Sequence, residues 1–449
     1  MTLCPQTSTP YLFANLPSKA TLVYEFKGKT LNTLRTPAML IDRAVFSKNC
    51  ALMHETAKAW GAAFRAHIKS HKTVDGIRLQ LVSSANKTTA IVVSTVMEAW
   101  EVIRTGLVAD GTVKDMLYGL PVGVNKIADL AALSDSLALH AGMFRILVDS
   151  PAQVQALETY NLERDRRTPW SVFVKVECGG KRAGLSPDSS AFKALLLALL
   201  GTPAVSIYGF YCHAGQSYAS TSVEEASKFL SDELQAVNMA AKLAQGLLNA
   251  THLESNHHQP FVLSIGSTPT AHAFGNPTDS VLYQLKSELY GKLELHAGNY
   301  PMLDLQQVHT GMVGPDRVSH KILTTVLSYY PKRGADGSDE AICDAGALAL
   351  SKDTGPSGGF GDVVSDNGKG WYVGRVSQEH GILVQRPSSD SGDATPTQAR
   401  ELKEGEILQI IPQHACLTAA CYPWFYVIDS DVEGGSNVVI DVWVPWKGW

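Results

Sequence analysis

No apolar stretch of this chain approaches the length of a membrane span. The longest run that could pass for one, Ala194 to Leu200, is stopped by Gly201 and Pro203, far short of the ~20 residues that a bilayer core demands. Charge is scarce as well: Asp, Glu, Lys and Arg make up 18% of the 449 residues, below the ~25% of average soluble chains. The 38 basic and 43 acidic side chains form no dense basic block, so a nucleic-acid partner is not expected. The first twenty residues lack the basic and apolar regions of a secretory leader. Seven cysteines, odd in number and irregular in spacing, speak against a disulfide framework and for a reducing, cytoplasmic setting. No G-x-G-x-x-G turn follows the first strand-like run, which argues against an open dinucleotide-binding sheet.

What the chain does have is apolar material, 45% of its residues, laid out in alternation. From residue 43 to about 300, short β-branched runs alternate with helical patterns. The candidate strands are 62–70, 89–95, 115–120, 144–149, 170–178, 205–213, 261–267 and 292–298. In the first helix Phe46, Cys50, Met53, Ala57 and Trp60 recur at spacings of three and four, one apolar stripe that Gly61 ends. Eight strand–helix units at a pitch near the ~30 residues of a βα unit predict an α/β fold, a closed (β/α)8 TIM-like barrel over residues 43–310. Farther on, Lys321–Val326, Ala341–Asp344, Gly370–Val376, Ile407–Ile411 and Val438–Val444 lack convincing helices between them. They predict a second, C-terminal β-rich domain of residues 311–449 together with 1–42, whose segment Thr36–Asp42 can pair there. Pro331–Glu340 and Pro387–Thr397 read as surface loops.

The first barrel strand reads A-F-R-A-H-I-K-S-H over 63–71. Alternation puts Phe64, Ala66 and Ile68 on one face and Arg65, His67, Lys69 and His71 on the other. Turning the apolar set towards the helices points four basic groups into the barrel. An unpaired buried ammonium costs several kcal/mol, so either anions meet this face or Lys69 is covalently neutralised, as a desolvated lysine is when it forms a Schiff base. A strand whose basic side is simply wet accounts for the pattern too. Two glycine-bearing stretches, Ser264–Thr268 and His296–Tyr300, close the seventh and eighth strands. Glycine lets backbone amides approach an anion, and phosphate sites in such barrels often follow these strands. Neither stretch contains Lys or Arg, so neutral donors would do the gripping.

R-A-H-I-K-S-H-K at 65–72 resembles the R-x-H-x-K-x-H-K signature of the D-serine dehydratase and D-threonine aldolase group, within the alanine-racemase-like fold. Val176–Gly179 with Arg182 and Gly184, the Tyr211…His213-Ala214-Gly215…Ser217-Tyr218 segment, Ser264–Thr270 and His296–Tyr300 are similar to further segments of that group. The resemblance implies a pyridoxal 5'-phosphate enzyme in which Lys69 is the Schiff-base lysine. It implies that Gly266, Ser267, Thr268, Gly298, Asn299 and Tyr300 surround the phosphate, and that His67, Arg182, Tyr211, Gln216 and Tyr218 line cofactor or substrate. In Pro412–Thr418, His414 and Cys416 are two ligands suited to zinc, placed on one face if the segment is an extended strand. The resemblance adds that dehydratase members carry His-x-Cys here and aldolases His-x-Asp. Asp344-Ala345-Gly346 and Glu379-His380-Gly381 also look like family segments, for packing or for catalysis, and His380 is a candidate neighbour of the metal.

The implied activity is zinc-assisted elimination of water from a small D-amino acid, D-serine, giving pyruvate and ammonia. Rivals are retro-aldol cleavage of D-3-hydroxy amino acids, against which Cys416 counts, and a non-catalytic pyridoxal-phosphate carrier, against which the β-rich domain counts. Resembling folds are homodimers, which is the expectation here.

Overall fold

The computed structural model describes residues 16–251, 257, 260–275, 287–386 and 400–449. The loop expected at Pro387–Thr397 therefore lies outside the described residues. Two compact units emerge, Cys50–Gly298 with Trp446–Trp449, and residues 16–49 with Asn299–Pro445.

After β1 (Ala38–Asp42), a strand of the second unit, come the eight strands of the first: β2 (Ala63–His67), β3 (Ala90–Val93), β4 (Asp115–Pro121), β5 (Met143–Val148), β6 (Trp170–Lys175), β7 (Val205–Tyr211), β8 (Phe261–Ile265) and β9 (Gly291–Ala297). They form a closed parallel barrel in sequence order, with Arg65 opposite His296 where β2 meets β9. All eight expected strands are present. Their apolar runs are buried, as parallel strands covered by helices must be. The connecting helices start where the sequence supplies caps: Thr73, Thr95 and Ser189 each accept a backbone N–H, and Ser150 forms a capping box with Gln153 behind Pro151. The helix Arg43–Ala59 buries Phe46, Cys50, Met53 and Ala57, as the spacing predicts, and Gly61 takes φ +63° just beyond it.

The second unit is a nine-stranded sheet in the order β11-β14-β13-β12-β15-β10-β1-β16-β17, with β10 His320–Tyr330, β11 Glu340–Cys343, β12 Gly361–Val363, β13 Trp371–Val376, β14 Gly381–Gln385, β15 Ile407–Pro412, β16 Phe425–Ile428 and β17 Asp441–Trp443. β10 also pairs with β11, so six of these strands form a ring. β1 joins antiparallel to β10 and parallel to β16. Three strands, β12, β14 and β16, escape the sequence reading. So does the helix Ala415–Cys421.

The two glycine motifs of this unit serve packing. A Cβ on Gly346 would lie 2.5 Å from the carbonyl carbon of Glu379, and one on Gly381 2.3 Å from the Ala345 oxygen. Asp344 accepts from Thr324 and from the Thr325 backbone, while Glu379 and His380 are exposed in the β13–β14 turn. Among the described residues no helix is long and apolar enough to cross a membrane, and the described cysteines form no disulfide.

Candidate active site

The barrel lumen is charged where a hydrophobic plug would be the simpler filling. Arg65, fully buried, donates from Nε and Nη2 to both oxygens of Glu294 at 2.8 and 3.0 Å, and from Nη1 to Asp115 at 2.6 Å. Arg145 holds Asp115 from the other side at 2.7 Å. Anions thus meet the inward basic face of β2, which makes burial of Arg65 tolerable. Above this layer sit Val92, Leu117, Leu147, Phe173 and Tyr211.

At the C-terminal mouth the sequence alternation breaks down. β2 ends at His67, and Lys69 to His71 form a turn, so the four basic residues do not share one face. His71 turns towards the following helix, where its ring nitrogens meet Thr73 and Gln80. Lys69 instead lies beside Gly298: a Cβ there would stand 3.5 Å from Lys69 Cε and 3.2 Å from His67 Cβ. Ser70 ties the same spot down by donating to the Gly298 carbonyl. Lys72 points elsewhere and pairs with buried Glu98 at 3.1 Å.

The loops after β7, β8 and β9 surround this lysine. Gly266 has φ +138°, and a Cβ on it would fall 2.1 Å from the His296 oxygen, so only glycine fits. Its carbonyl accepts from His213 Nδ1 at 2.7 Å. The Ser267 hydroxyl contacts Ser217 and caps the short helix Thr268–Ala273. Thr268 and Tyr300 are fully buried. Asn299, in the second unit, donates to Asp304 at 2.7 Å, so its amide nitrogen also braces protein. Gln216 donates to the Cys178 carbonyl and leaves its Oε1 without a partner. Tyr211 stacks on His296 with ring centres 4.0 Å apart, and burial drives its phenol pKa up. Arg182 is exposed, 3.8 Å from where a Gly215 Cβ would be, and Tyr218 is half-buried nearby in sequence.

Burial first, then the charge of Lys69, presses the His67 pKa far down. His213 and His296 are depressed in the same way, with Lys175 contributing. All three imidazoles are neutral. Lys175 is buried above the Tyr211 ring, and its pKa falls for the same reason. Beneath the loops Glu233 accepts from the Ala214 N–H at 2.5 Å, and burial pushes its pKa up to about 7. The sequence reading passed over Glu233, Lys175 and Glu294, and named His296 only as the first residue of the stretch His296–Tyr300. Glu294 and His296 had a usable signal, the period-two alternation of K-L-E-L-H at 292–296.

This pocket fits a pyridoxal phosphate. It offers a lysine at the mouth, two close-approach glycines, and buried polar atoms without partners among the described residues at His67 Nδ1, His296 Nε2 and Gln216 Oε1. In the second unit His414 and Cys416 lie at the start of the helix Ala415–Cys421, not on an extended strand. The turn still brings them together, for their side chains hydrogen-bond. Burial alone would lower the His414 pKa; Cys416, Asp304 and Asp353 raise it to about 9. His414 Nδ1 is 2.5 Å from Asp353 Oδ2, the partner that orients an imidazole whose Nε2 binds a metal. Asp304 accepts from Ala415 N at 2.8 Å. Among the described residues no group of three or more His, Cys, Asp or Glu is arranged to hold a metal.

A closed parallel barrel with a lysine and glycine loops at its C-terminal mouth, followed by a β unit, defines an alanine-racemase-like enzyme. Residues 41–282 match the family described as "Alanine racemase, N-terminal domain", and residues 319–428 the one described as "Putative serine dehydratase domain". The chain is 40% identical over 435 residues to D-serine dehydratase of Schizosaccharomyces pombe, covering 96% of each, and 36% identical to that of Saccharomyces cerevisiae, covering 95% of this chain and 99% of the other. The solved D-threo-3-hydroxyaspartate dehydratase of Delftia sp. HT23 superposes with TM-score 0.72 at 28% identity, over 94% of this chain and 100% of that one. The chain belongs to the D-serine dehydratase family, and is a lyase.

Proposed function

We propose that the protein is a pyridoxal-phosphate- and zinc-dependent D-serine dehydratase that converts D-serine to pyruvate and ammonia. The carrying observation is the position of Lys69 against Gly298 and His67, with Lys72 engaged by Glu98. The identity to the two yeast enzymes supports the substrate. When bound, the cofactor supplies an electron sink for the Cα carbanion and the metal a Lewis acid for the β-hydroxyl.

The chain's own residues do the rest. Lys69 would hold the cofactor, and its amine would take the Cα proton at Nζ. Gly266 and Gly298 let backbone approach the phosphate. Arg182, Tyr211, Gln216 and Tyr218 line the substrate side. His414 and Cys416 would hold the zinc, with Asp353 orienting the His414 ring. Residues 43–310 form the cofactor domain and 1–42 with 311–449 the metal domain of a cytoplasmic homodimer.

The test is pyruvate formation from D-serine by the purified, cofactor-loaded protein. Turnover that is lost in Lys69→Ala supports the reading. Cleavage of D-threonine to glycine and acetaldehyde without pyruvate from D-serine would replace it with the aldolase.

A further inference from the structure

His296 is held by a chain of contacts that fixes where its proton lies. Arg65 grips both oxygens of Glu294, so that carboxylate only accepts. Ser264, fully buried, has one hydroxyl hydrogen and lies 2.8 Å from Glu294 Oε1 and 3.0 Å from His296 Nδ1. Its hydrogen goes to the carboxylate, leaving its oxygen to accept from His296 Nδ1–H. The Nε2 of this neutral ring therefore carries a lone pair. That atom is buried and has no partner among the described residues, and stacking on Tyr211 at 4.0 Å and 11° prevents the ring from turning away.

We infer that His296 Nε2 accepts a hydrogen bond from the protonated ring nitrogen of the pyridoxal cofactor. The inference rests on the proposed cofactor. The reason is chemical: phosphate and phenolate oxygens of that cofactor are acceptors, and its only ring donor is the pyridinium N–H. A lone pair fixed in the lumen selects the protonated ring, the form that draws electrons most strongly from Cα. His296 is then a catalytic residue, with Ser264, Glu294 and Arg65 as positioning residues. The nearby His213 does not compete for Nδ1, because its own Nδ1–H goes to the Gly266 carbonyl.

The experiment loads the protein with pyridoxal phosphate labelled with nitrogen-15 in the ring and reads that nucleus by NMR. The visible absorbance band reports cofactor occupancy. Wild type is expected to show the pyridinium shift. In His296→Leu the resonance moves to the position of an unprotonated pyridine with the band retained, and in His296→Gln, whose amide oxygen can accept, it stays close to wild type. Ser264→Ala gives a second route if the leucine variant does not fold: it removes the acceptor for Nδ1–H and moves the resonance the same way. An unprotonated shift in wild type, as a Tyr211 hydroxyl donating to the ring nitrogen would produce, overturns the inference while leaving the cofactor assignment standing. So does a pyridinium shift unchanged in both His296→Leu and Ser264→Ala. Absence of the band in wild type overturns the cofactor reading and this inference with it.

Discussion

Glu233 makes the stability of the barrel depend on pH in a direction opposite to most carboxylates. It is fully buried on the helix Val223–Thr251, its Oε1 accepts from Ala214, and its pKa rises from 4.5 to about 7. Burial is the main cause; the Ala214 N–H, Thr270, Lys175 and Gly266 oppose it. A carboxyl with a raised folded pKa binds its proton more tightly in the native state. Its contribution is complete below the unfolded value and is lost as pH rises through the folded one. The window runs from about 4.5 to about 7, and at 1.36 kcal/mol per unit the loss is on the order of 3 kcal/mol. Glu233→Gln removes the titration and keeps the shape. Urea unfolding of the cofactor-free proteins at pH 5 and pH 8 checks this, the readout being the change in the wild-type-minus-variant difference. That difference should move in favour of the glutamine form by about 3 kcal/mol between the two pH values. Parallel pH profiles would refute the reasoning and show that the carboxyl ionises there without penalty.

The other expectations are direct. Gly266→Ala forces a Cβ to within 2.1 Å of the His296 oxygen at φ +138°; a loss of about 2–4 kcal/mol in unfolding free energy and weakened cofactor retention should follow. Arg65→Met leaves buried Glu294 without its cation, while Asp115 keeps Arg145, and should lower stability by about 3–5 kcal/mol, read as a drop in Tm. If the metal acts on the substrate hydroxyl, chelation should abolish D-serine elimination while β-chloro-D-alanine, with a better leaving group, continues to react and the circular dichroism stays unchanged. Equal loss for both substrates would show that the metal has another role.

The barrel was legible because its parallel strands are short, largely buried runs separated by helices, several of them capped by a side chain. Its functional ends were not. The ladder of β2 stops at His67 opposite Val92, and the backbone then turns, so alternation extrapolated through Lys69 and His71 placed them on a face that no longer exists. In the second unit β12 has three residues and β16 four, too short for periodicity to register, and the strand expected over Val438–Val444 is reduced to Asp441–Trp443. His414 and Cys416 were chosen on the geometry of a strand, yet a helix start brings the same pair together. Motif residues could be named because they cluster in sequence. Glu233, Asp304 and Asp353 could not, since each acts on a segment many residues away: Ala214, Ala415 and His414.

The central claim is that Lys69 carries the cofactor. Borohydride reduction of the pyridoxal-phosphate-loaded protein, followed by proteolysis and mass spectrometry, tests it most directly. A pyridoxyl adduct on Lys69 is the predicted result; an adduct on Lys72, on Lys175 or on any other lysine, with Lys69 unmodified, would contradict it.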